Sequence, residues 1–306
     1  VAANMLSGRV LGPIASIAAV ITRGTQTLMA LRAIDQVMAL ERERPRDKVF
    51  VAREITEGRV EFQNVSFVYP ASTAKALDGV SFKVRPGEKV AIIGRIGSGK
   101  TTVGRLLVSF YEPTEGAILV DGVDVRQYDP ADLRAGVGFM LQDTHLFFGR
   151  LRDNITYGKA DATDAEVLEA ARFAGVEAFV ANHPEGYDMA IAEGGRSLSG
   201  GQKQAIGLAR MLIRKPKILF LDEPTAHFDV RSEAEFLTRL QALANEKLTI
   251  LISTHRPSVL SMVDRVIVFE RGKIVADGPR EDILARLRGR PAPTGPSPMG
   301  VSRAAV

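Results

Sequence analysis

The sequence has 306 residues, of which 45% are hydrophobic and 25% charged, a balance typical of a globular protein with a sizeable core. It contains no cysteine, which excludes disulfide bonds and thiolate metal sites. The net charge of +4 is small enough to be explained by a solvated surface, so no nucleic-acid partner is predicted.

The first 44 residues are predicted to form one helix, because apolar residues recur every three to four positions over 28–38. The best apolar run, at 10–21, is shorter than the roughly 20 residues that a membrane span needs. The charged stretch "ERERPRDK" (41–48) is predicted to be a linker broken by its proline. Basic residues behind an apolar helix are typical of the cytoplasmic side of a membrane segment, and we expect the chain to be part of a longer protein.

Strands and helices alternate from residue 49 onwards, which predicts an α/β fold. The stretches "RVEFQNVSFVYP" (59–70) and "LDGVSFKV" (77–84) alternate apolar and polar residues and are predicted to be antiparallel strands. Three further runs are continuously apolar: "KVAIIG" (89–94), "KILFLDEP" (217–224) and "LTILIST" (248–254). Such runs are typical of parallel strands buried on both faces of a sheet.

A helical subdomain is predicted to interrupt this pattern between about residues 144 and 214. Within it, Thr163 and Glu166 have the spacing of a helix-capping box ahead of an apolar run. Residues 290–306 are rich in Pro, Gly and Ser and are predicted to be a disordered tail. The predicted divisions are a helix with its linker over 1–48, an α/β domain over 49–289 and the tail.

The stretch "GRIGSGKT", which starts at Gly94, matches the phosphate-loop pattern G-x-x-x-x-G-K-[ST] between a predicted strand and a predicted helix. Glycine at Gly94, Gly97 and Gly99 lets the backbone bend around phosphates without a steric clash. Lys100 would place its charge on the β- and γ-phosphates, and the Thr101 hydroxyl would ligate Mg²⁺. A plain glycine-rich turn is the alternative, and the flanking strand and helix argue against it.

Two carboxylates, Asp222 and Glu223, stand at the carboxyl end of a predicted buried strand, where an α/β sheet places its ligand. Asp222 is predicted to hold Mg²⁺ through water, and Glu223 to polarise the attacking water. The alternative is a pair of solvated carboxylates before a proline turn, which the nearby phosphate loop disfavours.

A second glycine-rich loop lies in "EGGRSLSGGQKQ" (193–204), where two glycine pairs flank Ser199 directly before a predicted helix. Such a loop can direct backbone N–H groups at an anion. The sequence therefore holds two candidate phosphate-binding loops, well separated along the chain.

Together with "LSGGQ" (198–202), these motifs resemble the ATP-binding cassette (ABC) family of ATPases, over roughly residues 58–285. The resemblance implies a P-loop NTPase fold of class α/β, with a RecA-like mixed core sheet, an antiparallel β subdomain and a helical subdomain. It also implies that Tyr69 stacks on adenine, that Gln142 senses Mg²⁺ and contacts the transport domain, and that His255 contacts the γ-phosphate.

The resemblance implies ATP and Mg²⁺ as the bound groups, with Lys100, Glu223 and His255 as catalytic residues. The residues expected to bind the nucleotide are Tyr69, Gly94, Arg95, Gly97, Ser98, Gly99, Lys100, Thr101, Thr102, Gln142, Ser199, Gly200, Gly201, Gln202 and Asp229. The residues expected to hold Mg²⁺ are Thr101, Gln142 and Asp222. In "TAHFD", Ala226 replaces the serine usual in the family. The hydrogen bond that this serine makes across the dimer is therefore not expected from Ala226.

The resemblance also implies why one chain has two phosphate-binding loops. Two chains of a homodimer pack head to tail, so that Ser199, Gly200 and Gly201 of one chain cap the γ-phosphate held by Lys100 of the other. ATP then holds the dimer together and hydrolysis releases it, which makes the dimer a two-state element biased by its ligand.

The chain looks like an exporter in which membrane and ATPase parts are fused, with residues 1–44 as the cytoplasmic end of the last membrane helix. "GRIGSGKTT" and "HPEGYDMAIAEGGRSLSGGQKQ" are similar to bacterial type I protein-secretion ATPases, which export RTX-type proteins. This similarity implies a transmembrane domain of the same protein, a periplasmic adaptor and an outer-membrane channel as partners. It places the chain at the cytoplasmic face of the inner membrane.

Other classes remain as alternatives, the nearest being an exporter of lipid, peptide or drug. DNA-handling cassette ATPases place a long coiled coil between their nucleotide motifs, but no sustained heptads separate Lys100 from Asp222. Soluble translation-type proteins need two cassettes in a chain, and one is present. A non-catalytic regulatory cassette is disfavoured by the presence of Glu223 and His255.

Overall fold

The computed structural model describes residues 2–40, 42–45, 47–226, 228–243 and 248–287. By its internal contacts the chain divides into two compact units, with the boundary between Lys48 and Val49. The tail predicted over 290–306 and His227 of "TAHFD" lie outside the described residues.

The first unit contains one long helix, α1 (Ala2–Met38). The sequence predicts this helix to residue 44, but it ends at Met38, ahead of a charged stretch that contains Pro45, a residue that cannot continue a helix. Its predicted apolar stripe is exposed, with Leu28 and Ile34 each 57% accessible. None of the described helices is long and apolar enough to cross a membrane.

The strands of the second unit are short and fall into three sheets. In chain order they are β1 (Val60–Val68), β2 (Lys75–Val84), β3 (Lys89–Gly94), β4 (Glu115–Val120), β5 (Val123–Asp124), β6 (Val137–Met140), β7 (Gly149–Arg150), β8 (Ala190–Ile191), β9 (Ile218–Asp222), β10 (Thr249–Ser253), β11 (Arg265–Glu270) and β12 (Lys273–Pro279). The central sheet has the order β12-β11-β3-β10-β9-β6, and only its edge strand β12 is antiparallel to its neighbour.

A four-stranded antiparallel sheet, in the order β2-β1-β4-β5, lies beside the central sheet, and β7 pairs with β8 in a small third sheet. β1 and β2 cover the two stretches predicted to be antiparallel strands, and they pair in that direction, with Val60 opposite Val84. Phe62 stacks on Phe82 across this pair, with ring centroids 4.6 Å apart. Cross-strand aromatic pairs of this kind stabilise an antiparallel sheet.

Eight helices of the second unit connect or cover these strands in the described part of the chain. They are α2 (Lys100–Leu107), α3 (Pro130–Gly136), α4 (Leu151–Thr156), α5 (Asp164–Ala174), α6 (Glu177–Val180), α7 (Gly200–Leu212), α8 (Val230–Leu243) and α9 (Arg280–Leu287). Helices α4 to α7 occupy the stretch predicted as a helical subdomain. α5 begins with the predicted capping box, in which the Thr163 and Glu166 side chains each accept from the other's backbone N–H.

The continuous apolar runs of β3, β9 and β10 are explained by burial on both faces of the central sheet. On β9, Phe220 faces a core shared with α2 and the antiparallel sheet, whereas Leu219 and Leu221 face a core shared with α5, α7 and α8. All three side chains are inaccessible to solvent. Burial of such side chains stabilises the fold by about 1.5–3 kcal/mol each.

The parallel direction of β3, β9 and β10 brings their carboxyl ends to the same edge of the central sheet. Ser253 at the end of β10 pairs with Asp222 at the end of β9 on one side and with Ile92 of β3 on the other. The loops that follow these three strands therefore start side by side, and they carry the residues predicted for nucleotide chemistry.

Candidate active site

The glycine-rich loop between β3 and α2 is confined at both ends, where close contacts leave no room for a side chain at Gly94 or Gly99. A Cβ atom at Gly94 would lie 2.4 Å from the carbonyl oxygen of Phe269 on the neighbouring strand, so only glycine fits. Gly99 precedes α2 with a φ of 104°, a conformation that favours glycine. The other predicted loop residues, Arg95, Gly97 and Ser98, lie between them, and the loop leads directly into the first turn of α2.

Lys100 is the first residue of α2, and its side chain turns back into the loop. It is 7% exposed, and its Nζ donates to the carbonyl oxygens of Gly94 at 2.9 Å and Arg95 at 3.2 Å. The ammonium group is therefore held at the centre of the loop, next to the amino-terminal end of a helix. Both features favour an anion at this position.

Thr101 and Asp222 join the loop to the end of β9. The Thr101 hydroxyl donates to Asp222 Oδ2 at 2.6 Å. Asp222 is 3% exposed, and its other oxygen, Oδ1, is buried without a hydrogen-bond partner among the described residues. A buried carboxylate oxygen without a partner is costly, and a hydrated divalent cation would satisfy it. The donor set thus fits Mg²⁺.

The described residues contain no group of three or more His, Cys, Asp and Glu side chains placed to hold a metal ion. Mg²⁺ in nucleotide sites takes few protein ligands, and its coordination is completed by water and phosphate oxygens. Thr101 and Asp222 are the two predicted Mg²⁺ ligands that the structure brings into direct contact.

Glu223 and His255 face each other across the ends of β9 and β10. Glu223 Oε1 lies 2.9 Å from His255 Nδ1. The Glu223 side chain is 14% exposed and that of His255 66% exposed, so the imidazole stands between the carboxylate and solvent. Glu223 has a φ of 47°, rare for a residue with a side chain, and its N–H donates to the carbonyl of Ser253 at 2.8 Å.

Tyr69 lies at the end of β1, beside the first turn of α2. Its hydroxyl is 3.1 Å from Thr102 Oγ1 and accepts from the Arg105 guanidinium at 3.2 Å. Its ring meets the rings of Phe67 and Tyr111 edge-on. Tyr69 is thus fixed next to the phosphate loop, and its stacking on adenine stays a prediction.

The second glycine-rich loop forms the amino-terminal cap of α7. Ser199 Oγ accepts from the Gln202 N–H at 3.2 Å, and Gln202 Oε1 accepts from the Ser199 N–H at 2.9 Å. Gly200 and Gly201 form the first turn and carry no side chains. Among the described hydrogen bonds none joins this cap to the loop around Lys100.

Gln142 and Asp229 lie at other predicted points of the site. Gln142 follows β6, its side chain is exposed, and its carbonyl oxygen accepts from the Gln204 side-chain amide at 2.7 Å. Its assignment to Mg²⁺ stays a prediction. Asp229 precedes α8 and accepts from both the N–H and the hydroxyl of Ser232, and these hydrogen bonds hold the pKa of its carboxyl below the ordinary value.

Sequence reasoning did not single out Arg256 and Glu233, which form a partly buried polar cluster next to this site. Arg256 NH1 lies 3.0 Å from Glu233 Oε2, and the guanidinium also donates to the carbonyl oxygens of Ala226 at 3.1 Å and Phe228 at 3.5 Å. Arg256 directly follows His255, and this adjacency is the one sequence signal that could have indicated it. Glu233 lies on a different element and has no such signal.

Glu233 is the centre of that cluster. Besides the guanidinium, it accepts hydrogen bonds from the hydroxyls of Thr225 at 3.0 Å and Ser258 at 2.8 Å. Burial by itself raises the pKa of Glu233, but the hydrogen bonds from the hydroxyls and the guanidinium outweigh burial and hold the pKa below its ordinary value. Glu233 is therefore an ionised carboxylate that ties α8 to the segments after β9 and β10.

Comparison with known proteins identifies the family. The sequence profile of ABC transporters matches residues 77–226. The chain is 38% identical over 285 residues to the cyclolysin secretion/processing ATP-binding protein CyaB of Bordetella pertussis, a match that covers 93% of this chain and 40% of CyaB. It is 42% identical over 227 residues to YgaD of Bacillus subtilis, which has a provisional name as a multidrug export ATP-binding/permease protein. That match covers 74% of this chain and 39% of YgaD.

A solved structure of a bacterial Atm1-family ABC exporter with ATP bound has the same fold, with a TM-score of 0.77 and 36% sequence identity. The likeness covers 86% of this chain and 46% of that protein. The predicted P-loop NTPase fold, with its mixed core sheet, antiparallel strands and helical part, is confirmed. The chain spans about two fifths of the length of the curated relatives it matches. The chain belongs to the ABC transporter family, and it carries the ATP-binding domain of that family, which is an ATPase.

Proposed function

We propose that the chain is the ATPase part of a bacterial exporter that secretes RTX-type proteins by the type I route, with two such chains working as a head-to-tail dimer. The ATPase part of this proposal is supported by the convergence of Lys100, Thr101, Asp222, Glu223 and His255 at one edge of the central sheet. Asp222 ends β9, Glu223 and His255 lie in the loops after β9 and β10, and Lys100 and Thr101 begin α2 directly after the loop that follows β3.

In the proposed reaction, Lys100 and the N–H groups of its loop hold the β- and γ-phosphates of ATP. Glu223 orients a water molecule and accepts its proton as the water oxygen bonds to the γ-phosphorus and the bond to ADP breaks. His255 fixes the direction of the Glu223 carboxylate through their 2.9 Å contact, and its exposed ring is placed to reach the γ-phosphate.

The hydroxyl of Thr101 and the carboxylate of Asp222 are the residues that would hold Mg²⁺, with Gln142 as a further predicted ligand. When bound, Mg²⁺ supplies neutralisation of the negative charge on the β- and γ-phosphates. The 2.6 Å hydrogen bond between Thr101 and Asp222 keeps both ligands oriented toward the same point.

The open amino-terminal end of α7 supports the dimer. Its first turn has glycine at two positions and no acidic residue, so its N–H groups and helix dipole are available to an anion. Since this end shares no described hydrogen bond with the loop around Lys100, we assign it to the γ-phosphate bound by the partner subunit. Ala226 leaves the segment after β9 without the serine hydroxyl that the family usually has there.

The membrane part of the proposal rests on the similarity to CyaB. That match covers 93% of the chain and therefore includes part of residues 1–48, whose helix we assign to the cytoplasmic end of a membrane segment. The proposed partners are a transmembrane domain of the same protein, a periplasmic adaptor and an outer-membrane channel. The proposed location is the cytoplasmic face of the inner membrane, and no nucleic-acid partner is proposed.

A multidrug exporter is the second candidate, because YgaD has the higher identity, 42% over 227 residues. A chimera separates the two candidates. Residues 49–287 replace the ATP-binding part of a type I secretion exporter and, separately, of a multidrug exporter. We expect cargo secretion to be restored in the first chimera and drug resistance to remain low in the second. The reverse result would contradict the type I assignment. A Glu223→Gln version of each chimera is the control for ATP-dependent transport.

The head-to-tail dimer is tested by mixing two defective chains. Lys100→Ala removes the cation of the phosphate loop, and Ser199→Arg blocks the cap of α7. Each homodimer then has two defective sites. In a mixed dimer, the intact phosphate loop of the Ser199→Arg chain meets the intact α7 cap of the Lys100→Ala chain, so one composite site is whole. We expect trapping of ATP at up to one site in each mixed dimer, measured as occluded radiolabelled nucleotide.

Mass measurement shows how many mixed dimers form, and random mixing gives at most half. If mixed dimers form and trap no ATP, the assignment of the α7 cap to the partner's nucleotide is wrong. Occlusion is the measurement to use, because coupling between the two sites can suppress hydrolysis even where one site is whole.

A further inference from the structure

The described residues between β9 and α8, at 223–226 and 228–229, are held from two sides by contacts that the reaction itself does not use. On one side, the Arg256 guanidinium donates to the carbonyl oxygens of Ala226 and Phe228. On the other side, the ring of Phe228 lies against the first turn of α7, where a Cβ atom at Gly201 would be 2.7 Å from that ring. The segment therefore touches both the residue after His255 and the cap of α7.

The guanidinium has a fixed position because its partner is itself fixed. Glu233 is 8% exposed and is the acceptor for Arg256 and for two hydroxyl groups. The Arg256 N–H also donates to Thr254 Oγ1 at 3.0 Å, so the backbone and the side chain of Arg256 are both restrained. A planar guanidinium can bond one carboxylate and two carbonyl oxygens at once, whereas an ammonium group is a single point of charge.

The Phe228 ring lies close enough to Gly201 that a side chain at residue 201 would clash with it. The Phe228 ring also packs against Phe236 of α8, with ring centroids 5.3 Å apart, and this contact restrains the ring from a second side. The Phe228 side chain therefore connects the carbonyl groups held by Arg256, those of Ala226 and Phe228, to Gly201, which lies next to the Ser199 cap of α7.

We propose that Arg256 is a positioning residue that, held by Glu233, sets the position of the α7 cap through Phe228 and Gly201. The proposal rests on the proposed function, in which this cap binds the nucleotide of the partner subunit. In that dimer, Arg256 joins the chain's own site, through the adjacent His255, to the site across the interface. Arg256 then acts on the partner's nucleotide without touching it.

The test uses Arg256→Lys. This variant keeps the positive charge beside Glu233 but removes the planar guanidinium that donates to the carbonyl oxygens of Ala226 and Phe228. Arg59→Lys is the matched control, because Arg59 is 56% exposed in its side chain and pairs with Glu57 at the surface. Thermal unfolding of both variants shows whether the fold is kept. Phe228→Leu is a second variant. It replaces the ring next to Gly201 with a smaller side chain and leaves Arg256 and Glu233 unchanged.

The decisive measurement puts Arg256→Lys in one chain or the other of the mixed dimer described above. The Lys100→Ala chain supplies the α7 cap of the one intact composite site. With Arg256→Lys in this chain, we expect trapping of ATP to fall at least about fivefold relative to the mixed dimer without it, the effect of losing charge-assisted hydrogen bonds. In the Ser199→Arg chain, which supplies the phosphate loop, we expect a change of less than about twofold. Phe228→Leu is expected to show the same asymmetry.

Each other outcome is informative. An equal loss in both arms, a larger loss in the Ser199→Arg chain, or no loss in either overturns the positioning role of Arg256. If the mixed dimer without Arg256→Lys traps no ATP, the assignment of the α7 cap to the partner's nucleotide is wrong, and the role of Arg256 is wrong as well. Failure of the proposed function is thus distinguishable from failure of the positioning role alone.

Hydrogen exchange on the isolated chain gives an independent readout that needs no dimer. We expect amide exchange over residues 200–203 to become at least about threefold faster in Arg256→Lys, while exchange in the first turn of α5 is unchanged. Unchanged exchange at α7 in a folded Arg256→Lys variant contradicts the proposal, whatever the effect on activity.

Discussion

Helices α5 and α7 begin with the same local device but differ in what they can bind. In both, a hydroxyl side chain caps the helix and the residue three positions later returns the hydrogen bond. In α5 that residue is Glu166, which also pairs with Lys159, and Asp164 adds a second carboxylate to the first turn. In α7 it is the neutral Gln202, and the first turn has no acidic residue.

The difference separates a cap that only ends a helix from a cap that can bind an anion. The negative charge of Glu166 already compensates the positive end of the α5 dipole, so an added phosphate would be repelled. The α7 cap satisfies its own backbone groups without using a charge, and its two glycines leave the N–H groups accessible. A capping box is thus a structural feature in both helices and a candidate ligand site in only one.

The largest expected effect on the comparison between α5 and α7 comes from blocking ATP hydrolysis without changing either helix. Under the proposed function, Glu223→Gln lowers ATP hydrolysis by about 10²- to 10⁴-fold, because an amide cannot accept the proton of the attacking water. ATP remains bound, so the dimer accumulates and is seen by size-exclusion chromatography with light scattering. In that dimer, exchange of the first-turn amides should slow at α7 and not at α5. A monomeric and fully active Glu223→Gln variant contradicts the role of Glu223.

A smaller effect is expected from giving α7 the charge that α5 has. Gln202→Glu keeps the capping box but places a carboxylate beside the proposed phosphate, and we expect trapping of ATP to weaken by about tenfold, the equivalent of about 1.4 kcal/mol. Nucleotide binding by the separate chain, measured by fluorescence of an ATP analogue, should not change. Glu166→Gln is the matched control and should leave trapping unaltered. Equal trapping of ATP by Gln202→Glu and the wild type would contradict the conclusion that the uncharged α7 cap binds a phosphate.

The two caps should be alike in stability. Thr163→Ala and Ser199→Ala each remove the hydroxyl that caps a helix, and each is expected to lower the free energy of unfolding by about 1 kcal/mol, measured by urea denaturation. Only Ser199→Ala should also weaken the ATP-dependent dimer. If Thr163→Ala weakens the dimer as much, the α7 cap has no special part in it.

The smallest expected effect concerns pH. The hydrogen bond from Lys159 and those at the cap lower the pKa of Glu166 to about 2. Since the folded pKa is below the unfolded value, the contribution of Glu166 to stability is complete above about pH 4.5 and is lost as the pH falls through about 2. The neutral Gln202 has no such dependence. An NMR titration of the Glu166 carboxyl carbon measures this directly, and a midpoint near 4.5 would contradict the pairing.

Much of the fold was predictable because its signals are local. The apolar runs of β3, β9 and β10 and the alternating strands β1 and β2 each have a pattern that can be recognised within ten residues. The glycine-rich loop and the two carboxylates at the end of β9 are contiguous motifs, so their place at the sheet edge follows once the strands are known to be parallel. The sequence predicts the end of α1 at residue 44, six residues after its end at Met38, because apolar periodicity does not mark where a helix ends.

The parts of the site that were not predicted depend on contacts between distant elements. Glu233 and Arg256 are 23 residues apart, on a helix and in a loop, and each is an ordinary charged residue in its own neighbourhood. The hydroxyl contact of Tyr69 with Thr102 has the same character. Only the folded sheet, which aligns the ends of β9 and β10, brings such side chains within hydrogen-bonding distance.

The left-handed backbone of Glu223 means that its carboxylate is preorganised. A residue with a side chain loses on the order of 1–2 kcal/mol in this conformation, and the N–H of Glu223 is bonded to Ser253 in exchange. A glutamate on a relaxed loop would instead lose conformational entropy every time a nucleotide arrives. Here the central sheet has already restricted the backbone during folding, so that free-energy penalty is met once in the lifetime of the molecule and not in each turnover.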